Sequence, residues 1–173
     1  VTSVVTTTGV ALGDYTLWGS FSVLLFFYLT FVGGCSGSTA GGLKIFRFQV
    51  AYVLLKANLQ QLIHPRAVIK QQYNGHNLDE DIVRSLITFS FFFTITIGLI
   101  ALGLALIGLD WVTALTGAAT AVCNVGPGLG PIIGPVGNFS TLPDAAKWLL
   151  TIGMLLGRLE ILTVLVLLTK AFW

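Results

Sequence analysis

The sequence predicts an all-α integral membrane protein built from tandem helix–pore-loop–helix units, with re-entrant pore helices and one broken transmembrane helix. Three observations carry that expectation. Charged residues make up only 9% of the chain and apolar residues 55%, against roughly 25% charged in an ordinary soluble domain. Uncharged stretches of 29 residues between Asp14 and Lys44 and of 25 between Arg84 and Asp110 exceed the ~20 helical residues that cross the hydrocarbon. The segment from Val5 to Gly13 also recurs from Val122 to Gly130, in both places too polar and glycine-rich to continue a membrane helix. Non-helical backbone at membrane depth survives only where it is buried in protein or lines a cavity, and a cavity lined by carbonyls strips water from a cation. The chain reads as half of a pore.

A third apolar stretch runs from Trp148 to Thr169, interrupted by Arg158 and Glu160, so three spans are expected, the first of them broken. Val1 is not an initiator methionine and no basic leader precedes a short apolar core, so the chain is expected to be a fragment. Cys35 and Cys123 both fall in membrane-embedded segments and form no paired framework or metal spacing. A net charge of +2 is too small to argue for nucleic acid, and no nucleic-acid signature is present. Six of the nine basic residues (Lys44, Arg47, Lys56, Arg66, Lys70, Arg84) lie between the first and second spans. Lys170 follows the third span, which assigns these ends to the cytoplasm and the stretch from Gly108 to Asp144 to the opposite side. The organisation expected is a first unit at 1–65, a cytoplasmic connector at 66–82 with a polar hairpin at its centre, and a second, more complete unit at 83–173.

In the second unit, 82–107 reads as the outward helix and Asp110 as the N-cap of a short helix from Trp111 to Val122. Twelve residues reach only about 18 Å, too short to cross, so this helix should dip in and return as extended strand and loop from Pro127 to Pro143. Its C-terminal end, negative by the helix dipole, would favour a cation. The bland alternative is an external amphipathic helix. The glycines ending Thr6-Thr7-Thr8-Gly9 and Cys123-Asn124-Val125-Gly126 permit positive φ and can turn successive carbonyls toward one axis, or can simply make tight turns.

Five glycines and three hydroxyl side chains crowd the ten residues Gly33, Gly34, Cys35, Ser36, Gly37, Ser38, Thr39, Ala40, Gly41 and Gly42. At about 1 kcal/mol per glycine, a continuous helix should break here into a loop. A helix crossing through Gly33, Gly37 and Gly41 is the competing reading. A phosphate loop fails because Leu43 stands where Lys belongs and Ile45 where Ser or Thr belongs. Arg158, expected near the middle of its helix and beyond the reach of snorkelling, should face a cavity or a partner helix. Glu160 points elsewhere and cannot neutralise it. There is no paired-carboxylate, His-Glu-x-x-His or Ser/His/Asp pattern, so enzyme activity is not expected.

Val-Thr-Thr-Thr-Gly at 5–9, the glycine-rich run at 33–42, His-Pro-Arg-Ala-Val at 64–68, Asn-Val-Gly-Pro-Gly-Leu-Gly at 124–130 and Gly-Arg-Leu-Glu at 157–160 together resemble the Trk/Ktr/HKT superfamily of potassium transporters, most closely its bacterial TrkH-type members. The resemblance implies potassium uptake across the bacterial inner membrane through four pore units in one multi-pass polypeptide, this chain supplying the last two. It makes Thr6, Thr7, Thr8, Gly9, Cys123, Asn124, Val125 and Gly126 filter residues for K⁺, the transported ion, with no covalent cofactor. It makes Gly33 to Gly42 an intramembrane gating loop and Arg158 the arginine that protrudes into the pore beside it. It further implies the two other pore units, a homodimer in the lipid bilayer, and a cytosolic nucleotide-binding regulatory subunit (TrkA-like) that could dock around Lys56 to Lys70. Cys123 stands where the family commonly has Asn, with little expected effect on a filter that works through main-chain oxygens. A secondary transporter built on broken helices is the runner-up, though it should show inverted repeats, and a non-transporting scaffold would leave Arg158 unexplained.

Overall fold

The computed structural model describes every residue except 12, 65–71, 75, 160–162, 165 and 167–173, together with all but the side chain of His76. In chain order the elements are α1 (Thr2–Val5), α2 (Ser20–Phe31), α3 (Ile45–Ile63), β1 (Gln72–Tyr73), β2 (His76–Asn77), α4 (Glu80–Leu106), α5 (Trp111–Cys123) and α6 (Asp144–Arg158), with short 3₁₀ turns at Tyr15–Trp18 and Phe139–Thr141. The outward helix, α4, has 27 residues and a mean hydropathy of 2.2, and among the described residues it is the one helix long and apolar enough to cross a membrane unaided. Glu80 and Asp81 occupy its first turn, the end where the helix dipole favours carboxylates.

Phe89, Phe93, Ile97, Ile100 and Leu104 form one buried stripe along α4 at three- and four-residue spacing, the period of a helix face. The helices α5 and α6 pack against that stripe and against each other. Between Thr113 and Cys123 every residue of α5 except Leu115 is buried. Those residues are almost all Ala, Gly, Thr and Val. In lipid the apolar effect gives helices little reason to associate, so small side chains that admit close backbone approach do most of the packing. On its far side α5 meets α2, and Val4, Tyr15 and Phe26 join the same cluster, with the Tyr15 and Phe26 rings stacked at 4.0 Å.

The first span is broken where its glycines predicted. After α2, Val32 is extended and the chain leaves the helical path until α3 begins at Ile45. The excursion is closed at its base: Gly33 N donates to Leu43 O at 2.8 Å, Leu43 N to Phe31 O at 3.0 Å and Ile45 N to Gly34 O at 3.3 Å. With no helix through 33–42, the competing helix-crossing reading of Gly33, Gly37 and Gly41 falls. In the connector, β1 and β2 form an antiparallel hairpin that sits on the start of α3. There Tyr73 Oη donates to Gln49 Oε1 at 2.5 Å and the Tyr73 ring lies 5.3 Å from that of Phe46. Residues 65–70 of the connector, with Arg66 and Lys70, lie outside the described residues.

Two expectations are corrected. The return from α5 is a tightly turned loop rather than an extended strand, closed by Gly128 N donating to Ile133 O at 2.7 Å and anchored by the buried Ile133. Pro127, Pro131 and Pro135 remove the backbone donors that a strand would need. Arg158 does not sit within an unbroken helix: α6 ends on it with Leu159 as the cap, and helical residues reappear at Thr163 and Val164. Glu160 lies outside the described residues.

Candidate functional site

The two repeated loops fold alike at the level of single torsions. Thr7 has φ 54° and Asn124 φ 55°, both left-handed, and each is followed two residues later by a positive-φ glycine, Gly9 at 74° and Gly126 at 113°. The hydrogen bonds repeat as well. Thr7 N donates to Val4 O at 3.0 Å as Asn124 N does to Ala121 O at 3.0 Å, and Thr8 N donates to Ser3 O at 2.9 Å as Val125 N does to Thr120 O at 3.0 Å. Thus the single turn α1 plays for the first loop the part that the last turn of α5 plays for the second. Non-glycine residues rarely accept left-handed torsions, and Asn tolerates them best through its short polar side chain. Asn124 is held there by its amide, which donates to Met154 O of α6 at 3.1 Å.

The two loops touch. A Cβ placed on Gly9 would lie 2.2 Å from Val125 O, and one on Gly126 would lie 3.7 Å from Gly9 Cα. The structure therefore brings Gly9, Val125 and Gly126 together. Cys123, expected in the filter, is the last residue of α5 and fully buried behind the loop. Sequence reasoning missed the threonines that set the second loop. Thr120 Oγ1 accepts from Gly126 N at 3.0 Å, and one turn earlier Thr116 Oγ1 accepts from Leu129 N at 3.1 Å while donating to Val112 O at 2.7 Å. Their signal was available: hydroxyls at 113, 116 and 120 mark one face of an otherwise apolar helix. Thr120→Val keeps the shape and deletes the acceptor, leaving the Gly126 amide unsatisfied. A loss of about 1–3 kcal/mol in stability is expected, read by thermal denaturation in detergent, with faster hydrogen exchange at Gly126.

The glycine-rich loop lies against this pair. A Cβ on Gly41 would stand 2.1 Å from Cys123 O, and Gly41 N donates to Thr7 Oγ1 at 3.3 Å, so Gly41 touches both repeats. Arg158 Nη1 donates to Thr39 O. Cys35, Ser36 and Gly37, on the loop's other limb, are exposed. A cavity of about 280 Å³ opens among Ser38, Thr39, Gly42, Lys44 and Arg158. Lys44, read from the sequence as an orientation marker only, turns its ammonium back onto the loop, donating to Ser38 O at 2.5 Å and to Ala40 O at 2.7 Å. No group of three or more His, Cys, Asp or Glu able to hold a metal occurs among the described residues.

A family profile described as TrkH, cation transport protein, matches residues 1–172. The chain belongs to the TrkH family. Its TrkH-type relatives include the Trk system potassium uptake protein TrkI of Halomonas elongata, 65% identical over 173 residues, all of this chain and 35% of that protein. They also include the Trk system potassium uptake protein TrkH of Vibrio parahaemolyticus, 36% identical over 99% of this chain and 35% of that protein. The crystal structure of the potassium transporter TrkH from Vibrio parahaemolyticus superposes with a TM-score of 0.89 at 36% identity, covering 98% of this chain and 36% of that one. The chain thus spans about 35% of the length of the curated relatives it matches. The family is one of membrane transporters rather than enzymes, as the absence of a catalytic pattern led us to expect, and the helical fold is that of the TrkH structure.

Proposed function

We propose that this chain supplies two of the pore units of a potassium uptake protein of the bacterial inner membrane. Dehydrated K⁺ would pass main-chain oxygens of Thr6–Gly9 and Cys123–Gly126 and then the loop at 33–42, controlled by Arg158. The observation that carries the reading is the pair of loops with matching left-handed torsions, in contact through Gly9 and Val125, the second of them at the C-terminal end of α5, whose negative end favours a cation. Two loops do not surround an ion. The reading therefore includes two further units, a homodimer, and a cytosolic nucleotide-binding regulatory partner docking near Lys56.

Arg158 would act electrostatically. At an effective dielectric of 20, a fixed unit charge 4 Å from the ion costs about 4 kcal/mol, roughly a thousandfold in rate. Arg158→Gln removes both that charge and the latch on Thr39 O, so unregulated flux should rise at least about tenfold. The test is potassium-limited growth of an uptake-deficient bacterium carrying the full polypeptide, with rubidium flux into proteoliposomes. Failure of the wild type to support growth sinks the transport reading, and unchanged flux in Arg158→Gln sinks the gate.

A further inference from the structure

Lys44 is oddly placed for an orientation marker. It is the N-cap of α3, and Arg47 follows within the first turn, with no acidic residue there. A helix N-terminus is the end where the dipole disfavours cations. A lysine at a membrane boundary would ordinarily extend its stem to carry the ammonium into the headgroups. The Lys44 ammonium instead folds back by 4 and 6 residues to Ala40 O and Ser38 O. The intervening Thr39 O is taken by Arg158, so three consecutive carbonyls of the glycine-rich loop are held by two fixed cations from two different helices. Ser38 Oγ, in the same cluster, is buried and has no hydrogen-bond partner. The other cations facing the cavity are Arg158 and Arg47, whose guanidinium lies 3.7 Å over the Phe89 ring.

We infer that Lys44 is a tethered surrogate ion: its ammonium fills an oxygen site in the loop that suits a K⁺ ion, and holds the loop shut until a permeating K⁺ replaces it. Ammonium and K⁺ are close in size and both are held by main-chain oxygens, the ammonium by donating to them and K⁺ by coordination, so the exchange trades one set of cation–oxygen contacts for another and needs no disruption of the loop's base. Arg158 cannot play this part. Its planar fork is a directional donor, and it reaches one carbonyl from a separate helix. The loop is therefore latched twice, once by a group that excludes ions by charge and once by a group that imitates them. This deepens the gate proposed above and rests on it.

The experiment uses the full polypeptide in proteoliposomes without regulatory partner. Lys44→Met should raise rubidium flux several-fold, and Lys44→Arg should raise it too, because a guanidinium keeps the charge but not the compact ammonium. Lys44→Cys should be leaky in the same way. Treatment with an aminoethyl thiosulfonate, which rebuilds a cationic amine on the same vesicles, should close it again, whereas the neutral methyl reagent should not. Wild-type vesicles treated in parallel account for Cys35. Flux at the wild-type level in Lys44→Met and Lys44→Cys, with Arg158→Gln leaky, overturns the inference and leaves the gate standing. Closure by the neutral reagent, or a Lys44→Arg protein as tight as wild type, overturns the surrogate-ion role. If Arg158→Gln is also tight, the gate itself fails and the inference with it.

Discussion

Gly9→Ala should abolish the preference for K⁺ over Na⁺ and cut uptake by at least about tenfold. Two costs fall on one methyl group. The φ of 74° costs an L-residue about 1–2 kcal/mol, which is roughly tenfold in the population of that conformation. The methyl would also stand 2.2 Å from Val125 O and 3.4 Å from Pro127 Cδ. Neither neighbour is the free end of a flexible side chain, so one loop must move off the other. Gly126→Ala separates the two effects, because its φ of 113° is strained but its nearest neighbour, Gly9 Cα, is 3.7 Å away. Gly126→Ala should therefore lose selectivity and the torsional share of the stability alone, while Gly9→Ala adds the cost of the clash and melts lower. Rubidium uptake against competing Na⁺, measured with melting temperature in detergent, checks this pair. A Gly9→Ala protein that still selects K⁺ would remove the filter from these loops.

Why the sequence showed some of this and concealed the rest follows from the kind of interaction involved. Loop positions were legible because glycine density sets backbone behaviour locally: five glycines in 33–42 break a helix whatever surrounds them. The short helix from Trp111 was legible through Asp110, whose carboxylate does accept from Val112 N at 3.2 Å. The positive φ expected at Gly9 and Gly126 is present, and the repeat at an offset of 117 residues extends to left-handed torsions at Thr7 and Asn124 that sequence reasoning missed. Lys44 was concealed because charge counting assigns a side, not a direction, and a four-methylene stem can reach the headgroups or fold back equally well. The threonines of α5 were passed over because Thr in an apolar helix ordinarily bonds its own preceding turn. Thr116 does that and also serves the loop. The strand expected after Pro127 is a turned loop because Gly128 N closes onto Ile133 O, a contact that residue types alone do not reveal.

The second large effect concerns how α6 delivers Arg158. Gly153 and Gly157 are one turn apart on the face of α6 that meets α5, the small-residue spacing that lets two membrane helices approach closely. They are not equivalent. A Cβ on Gly153 would meet Ile100 Cδ1 at 2.8 Å, the far end of a side chain that can rotate. On Gly157 it would stand 1.8 Å from Val122 O and 2.7 Å from Val122 C, which are backbone. Gly157→Ala must therefore separate α6 from the end of α5 by more than 1 Å to restore ordinary contact. Arg158 is the next residue, so the same displacement draws its guanidinium from Thr39 O and strains the Asn124 amide bond to Met154 O. Overpacking of this kind costs about 1–3 kcal/mol, and flux should rise toward that of Arg158→Gln although the arginine is still present. Gly153→Ala should be nearly neutral in both respects. Melting temperature and rubidium flux on the two alanine variants decide the matter. If Gly157→Ala stays as tight as wild type while losing stability, the arginine holds the loop by some contact other than the one its helix now provides.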